Sequence, residues 1–368
     1  MLFNLFLVEM KRTLKNPYML TLILSIPLAV VAVAVILFSS FSFLQARIGI
    51  LNLDTDPLSR LTVGVVMSMF KGGNVSYVST NYEQKLLNGE LQAIIVIPKE
   101  FSKKLYAGQQ TELIFIPSPV DLQVSTIMYR TFRSLLEDLN GSPFFDPQVI
   151  RFLFTSPGYP SPKLSVLDKE EALSFLSILV PIGVFLSTAC VLLAIVSNTF
   201  QLDEQSRLTE IYITMNVNSF TYTVSKILTY TTIGSIISLL AFLAFVFLNI
   251  PFDLTTTLNL IVLNALFHAC LGIILSAVSP NTQISALLSV AVAAISFYFS
   301  GSVVPVSSMP LLLQGIARNY PLFLINYALR KKQLFSMNPS SDVKLVLSYI
   351  LISFVVCIVL GSMRLRRK

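Results

Sequence analysis

Residues 18–41 read YMLTLILSIPLAVVAVAVILFSSF, and no Asp, Glu, Lys or Arg occurs from Tyr18 to Ala46. A helix needs about 20 apolar residues to cross a hydrocarbon layer about 30 Å thick. The stretch therefore predicts a membrane span, and Asn16-Pro17 predicts the helix break that starts it, giving a first span over 17–41. It follows a charged start, is too long for a signal-peptide core and shows no small-residue cleavage site, so it is expected to be retained.

Most of the chain has the same character. Of its 368 residues 54% are hydrophobic and 12% charged, with mean hydropathy +0.75, against about a quarter charged in an ordinary soluble domain. Such a chain has too little polar surface to close around a water-soluble core, and lipid is its expected solvent. Further apolar segments at 173–196, 227–248, 254–278, 284–299 with an extension, and 345–360 bring the expected spans to six.

Upstream of the first span, residues 1–16 place Leu2, Phe3, Phe6, Leu7, Met10 and Leu14 on one side of a helix and Asn4, Lys11, Arg12 and Lys15 on the other. That pattern predicts an interfacial helix on the cytoplasmic leaflet. Downstream, 42–170 has the character of a water-exposed α/β (α+β) domain. Strand-like runs at 48–53, 75–79, 93–97 and 113–116 alternate with helix-like runs at 58–70, 82–87, 99–106 and 122–139. A Pro-rich tether with Pro143, Pro147, Pro157, Pro160 and Pro162 is expected to return it to the membrane. The fold class is thus membrane all-α, six spans with an inserted α/β domain, the remaining five spans occupying 171–368.

The formal net charge is +7, but the basic residues gather at span ends: Lys11, Arg12 and Lys15, then Arg364, Arg366, Arg367 and Lys368. Membrane topology explains that placement, and a nucleic-acid partner is not expected. Both termini and the 198–226 loop are expected in the cytoplasm of a plasma-membrane protein, with the 42–170 domain outside. Arg330, Lys331 and Lys332 then fall outside, against the trend. Cys190, Cys270 and Cys357 all lie in apolar runs, with no disulfide framework or metal-ligand spacing.

The spans hold almost no titratable chemistry. Asp, Glu, Lys and Arg are missing from 172–202, 227–252, 254–317 and 345–363, which argues against an ion-coupled carrier. His268 is read as a neutral histidine hydrogen-bonded between helices rather than as a proton or ligand site. No nucleophile with its base, carboxylate pair or metal cluster is grouped in the sequence, so an enzyme is not expected. Gly72-Gly73 lacks the Lys-Ser/Thr of a phosphate-cradling loop.

Two segments carry the functional reading. In 203–216, Leu208, Ile211, Tyr212 and Met215 recur on one face of a helix while Asp203, Arg207, Glu210 and Thr214 occupy the other. Such a helix either docks a partner or rests on lipid head groups. In 300–335, prolines and glycines including Gly301, Pro305, Pro310 and Pro321 interrupt an apolar run that also holds Met309. It is expected to form a broken, re-entrant segment lining an exit path, with a plain helical hairpin as the alternative.

The order of interfacial helix, span, large outside domain and five further spans resembles the ABC-2 type transporter permeases, in the subgroup with a large extracytoplasmic domain. The matching stretches are Ile48-Gly49-Ile50-Leu51-Asn52-Leu53-Asp54; Leu87-Asn88-Gly89-Glu90 through Ile97-Pro98-Lys99-Glu100-Phe101-Ser102; residues 204–226; and Ser300-Gly301 through Pro305, Met309-Pro310 and Pro321 to Arg330. In place of the family's Gly-Thr-Leu-Glu this chain has Arg207-Leu208-Thr209-Glu210, with Asn216-Val217 where the family has proline and Ser225 before Lys226. The resemblance implies an exporter permease working as a dimer with a second copy or a homologue, moving its substrate outward. It implies a separate ABC ATPase that binds ATP and Mg, docked near Glu204, Arg207, Leu208, Glu210, Ile211 and Lys226. It also implies an outer gate at Gly301, Pro305, Met309, Pro310 and Pro321. Charge-free spans suit a lipophilic or amphipathic substrate. The rival reading is a membrane receptor or anchor that binds a partner through the 42–170 domain.

Overall fold

Among the described residues, six helices are long and apolar enough to cross a membrane: Pro17–Leu37, Ser177–Gln205, Ser219–Phe247, Leu254–Val278, Thr282–Phe299 and Ser340–Arg364. They are seen in a computed structural model that describes residues 2–39, 47–69, 74–78, 82–107, 109–138, 162–166, 173, 175–248 and 253–366. Pro143, Pro147, Pro157 and Pro160 of the expected tether, and Gly72-Gly73, lie outside those residues. The chain divides into two units. One comprises Met1–Ser40, Leu179–Val304 and Pro310–Lys368, the other Phe41–Ile178 and Pro305–Met309.

In the helical unit, local chemistry starts three of the spans. Asn218 accepts from the Phe220 N–H at 3.1 Å, Asp253 from Thr256 at 3.2 Å and Asn281 from Ile284 at 2.8 Å, each filling a backbone donor that a helix start leaves open. The Asn218 cap begins the third span at Ser219 rather than at 227, so Lys226 lies inside the helix.

The second span packs against the first, third, fourth and fifth. With lipid outside, hydrophobicity does not drive helix association, and close packing takes over. Gly234 of the third span and Gly272 of the fourth permit that approach. A Cβ at Gly234 would stand 2.7 Å from Leu192 Cδ1, and one at Gly272 2.7 Å from Val196 Cβ.

The expected single helix over 203–216 is instead two, Thr199–Gln205 and Leu208–Thr214. Arg207 between them adopts a left-handed φ of 54°, a conformation that ends an α-helix. The 300–335 segment is interrupted as its prolines and glycines predict. Gly301 takes φ 62°, Val306–Ser308 forms a 3-10 turn, and helices Leu311–Asn319 and Pro321–Phe335 meet at an extended Tyr320.

The second unit holds a five-stranded sheet ordered β2-β1-β3-β4-β5: β1 Arg47–Asn52, β2 Asn74–Tyr77, β3 Ala93–Ile97, β4 Glu112–Pro117 and β5 Lys163–Val166. All neighbours run parallel except β3 and β4. Strand β3, AIIVI, is buried along its whole length, as its unbroken apolar run requires. Helices Pro57–Met69, Tyr82–Leu87, Phe101–Tyr106 and Leu122–Asp138 alternate with β1 to β4. Strand β5 falls where only tether was expected, too short at four residues, with Lys163 and Ser165 polar, to stand out. Within this unit Asp121 Oδ1 accepts from the N–H of Val306 at 2.8 Å and of Ser307 at 3.4 Å. Burial raises the Asp121 carboxyl above its ordinary range, against those hydrogen bonds.

Candidate functional site

Helix Leu2–Lys15 buries Glu9 and Thr13. Lys226 of the third span, fully buried, reaches Glu9 Oε1 at 3.0 Å and Asp203 Oδ2 at 2.7 Å. Asp203, also fully buried, pairs through Oδ1 with Arg12 at 2.6 Å, and Arg12 stands 3.4 Å from Glu9. Two cations and two anions thus close a neutral cluster. Pairing of this kind is the condition under which charges leave water without prohibitive cost. The Tyr222 hydroxyl donates to Asp203, Lys226 also donates to Thr199 Oγ1 at 3.1 Å, and Thr199 meets the Tyr230 hydroxyl at 3.0 Å. Burial lowers the Arg12 pKa, but Asp203 and Glu9 outweigh it and hold the guanidinium above its ordinary value.

A second set of contacts grips the same short helix, Thr199–Gln205. Gln201 Nε2 donates to the carbonyls of Ser276 and Ser279, both at 2.8 Å. Arg364 of the sixth span holds both oxygens of Glu204, at 3.0 and 3.3 Å, and donates to the Ser279 carbonyl at 2.8 Å. Side chains therefore tie this helix to the N-terminal helix and to the third, fourth and sixth spans. A bidentate Arg–carboxylate pair adds fixed geometry to the attraction. Beyond Arg207, helix Leu208–Thr214 turns Thr209 and Tyr212 inward, Tyr212 packing 5.4 Å from the Tyr222 ring. It leaves Ile211 and Ile213 each 48% and Met215 66% exposed. The arrangement couples the loop to four other helices.

The expected docking residues separate into two groups. Arg207, Glu210 and Ile211 are exposed and Leu208 is half-buried. Glu204 is engaged by Arg364, and Lys226 presents no surface at all. Lys226 as a direct contact for a partner is therefore corrected: its charge is spent inside the cluster. Sequence reasoning missed Glu9 and Arg12 as cluster members and Arg364 as the partner of Glu204, and placed Asp203 on the polar face of one continuous helix. A usable signal was present in Glu9, the one acidic residue in helix Leu2–Lys15.

Of the expected gate residues, Gly301, Pro310 and Pro321 fall in the helical unit, Pro305 and Met309 in the other. Gly301 O accepts from Arg330 at 3.1 Å. His268 is buried and hydrogen-bonded, though to the Asn264 carbonyl of its own helix at 2.9 Å rather than across helices.

Residues 17–363 match the model of a family described as ABC-2 family transporter protein. No curated protein sequence matches the chain.

Proposed function

Because the chain belongs to the ABC-2 transporter family, and so is a multi-pass membrane subunit rather than the ATPase, we propose that it is the permease half of an ATP-driven exporter. Two copies, or this chain and a homologue, pair in the plasma membrane with both termini cytoplasmic and the sheet domain outside. Helix Leu2–Lys15 lies along the inner leaflet. A separate ABC ATPase docks on the exposed face of Leu208–Thr214, and its closure on ATP and Mg moves the loop. The substrate, lipophilic or amphipathic, leaves past an outer gate at Gly301, Pro310 and Pro321 of the helical unit.

One observation carries this reading. The loop presents exposed apolar residues on one helix while the helix before it is tied by ion pairs and hydrogen bonds to four other helices. A docking surface joined to such a hub biases the whole bundle when its partner moves. The test is Glu210→Arg, with Ile211→Asp beside it. Both should abolish co-purification of the ATPase and leave membrane insertion intact. ATPase still bound at wild-type stoichiometry would remove the loop from the docking role.

A further inference from the structure

The second span does not run as one α-helix. Over Pro181–Leu186 it widens into a π-turn, and the Ser187 N–H donates to Ile182 O, five residues back instead of four. Pro181 brings no N–H of its own, and a return from five-residue to four-residue spacing leaves a carbonyl without a main-chain donor. Side chains serve three successive carbonyls here. Ser187 Oγ donates to Gly183 O, Ser238 Oγ of the third span to Val184 O at 3.1 Å, and Asn264 Nδ2 of the fourth span to Phe185 O at 3.0 Å. Thr188 Oγ1 stands 2.8 Å from Ser238 Oγ. Every residue of the turn is buried, as are Ser238 and Asn264, so water is not the alternative partner.

Polar satisfaction around the turn is incomplete. Because His268 Nδ1 faces the Asn264 carbonyl it carries the proton, which makes Nε2 an acceptor. Among the described residues that nitrogen and Asn264 Oδ1, one turn apart on the fourth span, are buried without a hydrogen-bond partner. Buried orphan acceptors cost free energy, which the observed form of the turn carries.

We propose that residues 181–186 are the hinge of the second span, and that Ser238 and Asn264 are the positioning residues that hold its observed form. The span continues through Ser187–Val196 into Thr199–Gln205, so a displacement of that clamped end runs straight up to the turn. Passage of the π-turn into α-helix releases the side-chain donors and rotates one half of the span against the other by about 100°, with a shift of about 1.5 Å. The hinge's role in export rests on the reading of the loop as ATPase-driven. The hinge itself belongs to this chain alone.

The test is hydrogen–deuterium exchange of the full chain in lipid nanodiscs. Peptides within 181–190 should exchange about tenfold faster than the equally buried middle of the fourth span. Asn264→Leu should speed them about tenfold further and leave 208–226 unchanged. If Asn264→Leu fails to insert, Ser238→Ala carries the same expectation. Peptides 181–190 as protected as the fourth span, or indifferent to these substitutions, would overturn the hinge. No ATPase takes part, so failure of the docking reading would leave these rates as predicted and remove only the driver.

Discussion

Asp203 is held by Arg12 on one side and Lys226 on the other, and both cations also meet Glu9. Removing one member strands a buried charge, which costs about 3–5 kcal/mol. Asp203→Asn and Lys226→Met should each lower thermal stability by that order. The double substitution leaves Arg12 facing Glu9 in a neutral pair and should be milder than either single. Additive losses in the three unfolding curves would show that the four charges do not act as a unit. In the sheet domain, burial raises the Asp54 pKa, but the Ser102 N–H at 2.7 Å from Oδ2 and other backbone donors hold it below its ordinary 3.8. Its contribution is therefore present above pH 3.8 and is lost as pH falls through the folded value. Unfolding measured from pH 6 to 3 should show that loss, and Asp54→Asn should flatten it. At this scale the sequence was only partly legible. Lys226 and Glu204 were picked out by resemblance, but their partners sit far away in the chain, at Glu9 and Arg364, and no local period announces a pairing between helices.

Among the elements, what runs on local chemistry was readable: apolar length marked the spans, and strands β1 to β4 stood out between their helices. What depends on tertiary context was not. The break at Arg207 splits an amphipathic period that reads as continuous, and the π-turn hides inside an unbroken apolar run. Strand β5 exists because β4 offers it an edge. Packing at the elements' contacts gives a paired test. Gly272→Leu drives a side chain into Val196 and should cost about 1–3 kcal/mol. Gly315→Ala, with nothing within 4 Å of the new carbon, should be neutral or stabilise helix Leu311–Asn319 by up to about 1 kcal/mol. Thermal unfolding of the two variants in one lipid system checks both signs.

For the molecule as a whole, composition alone declared a membrane protein, and the order of its segments carried the family resemblance that the match over residues 17–363 shows. The sidedness proposed for it makes a plain prediction. A single cysteine introduced at exposed Lys103 should react with an impermeant thiol reagent added outside intact cells, and one at Glu210 should react only after the cells are opened. The most direct test is to purify the chain from its own membrane under gentle detergent and identify what stays bound by mass spectrometry. A stoichiometric P-loop ATPase should be recovered, and lost from the Glu210→Arg variant. Recovery of the chain alone, or of an outside partner held through the sheet domain, would contradict the permease assignment and favour a receptor or anchor.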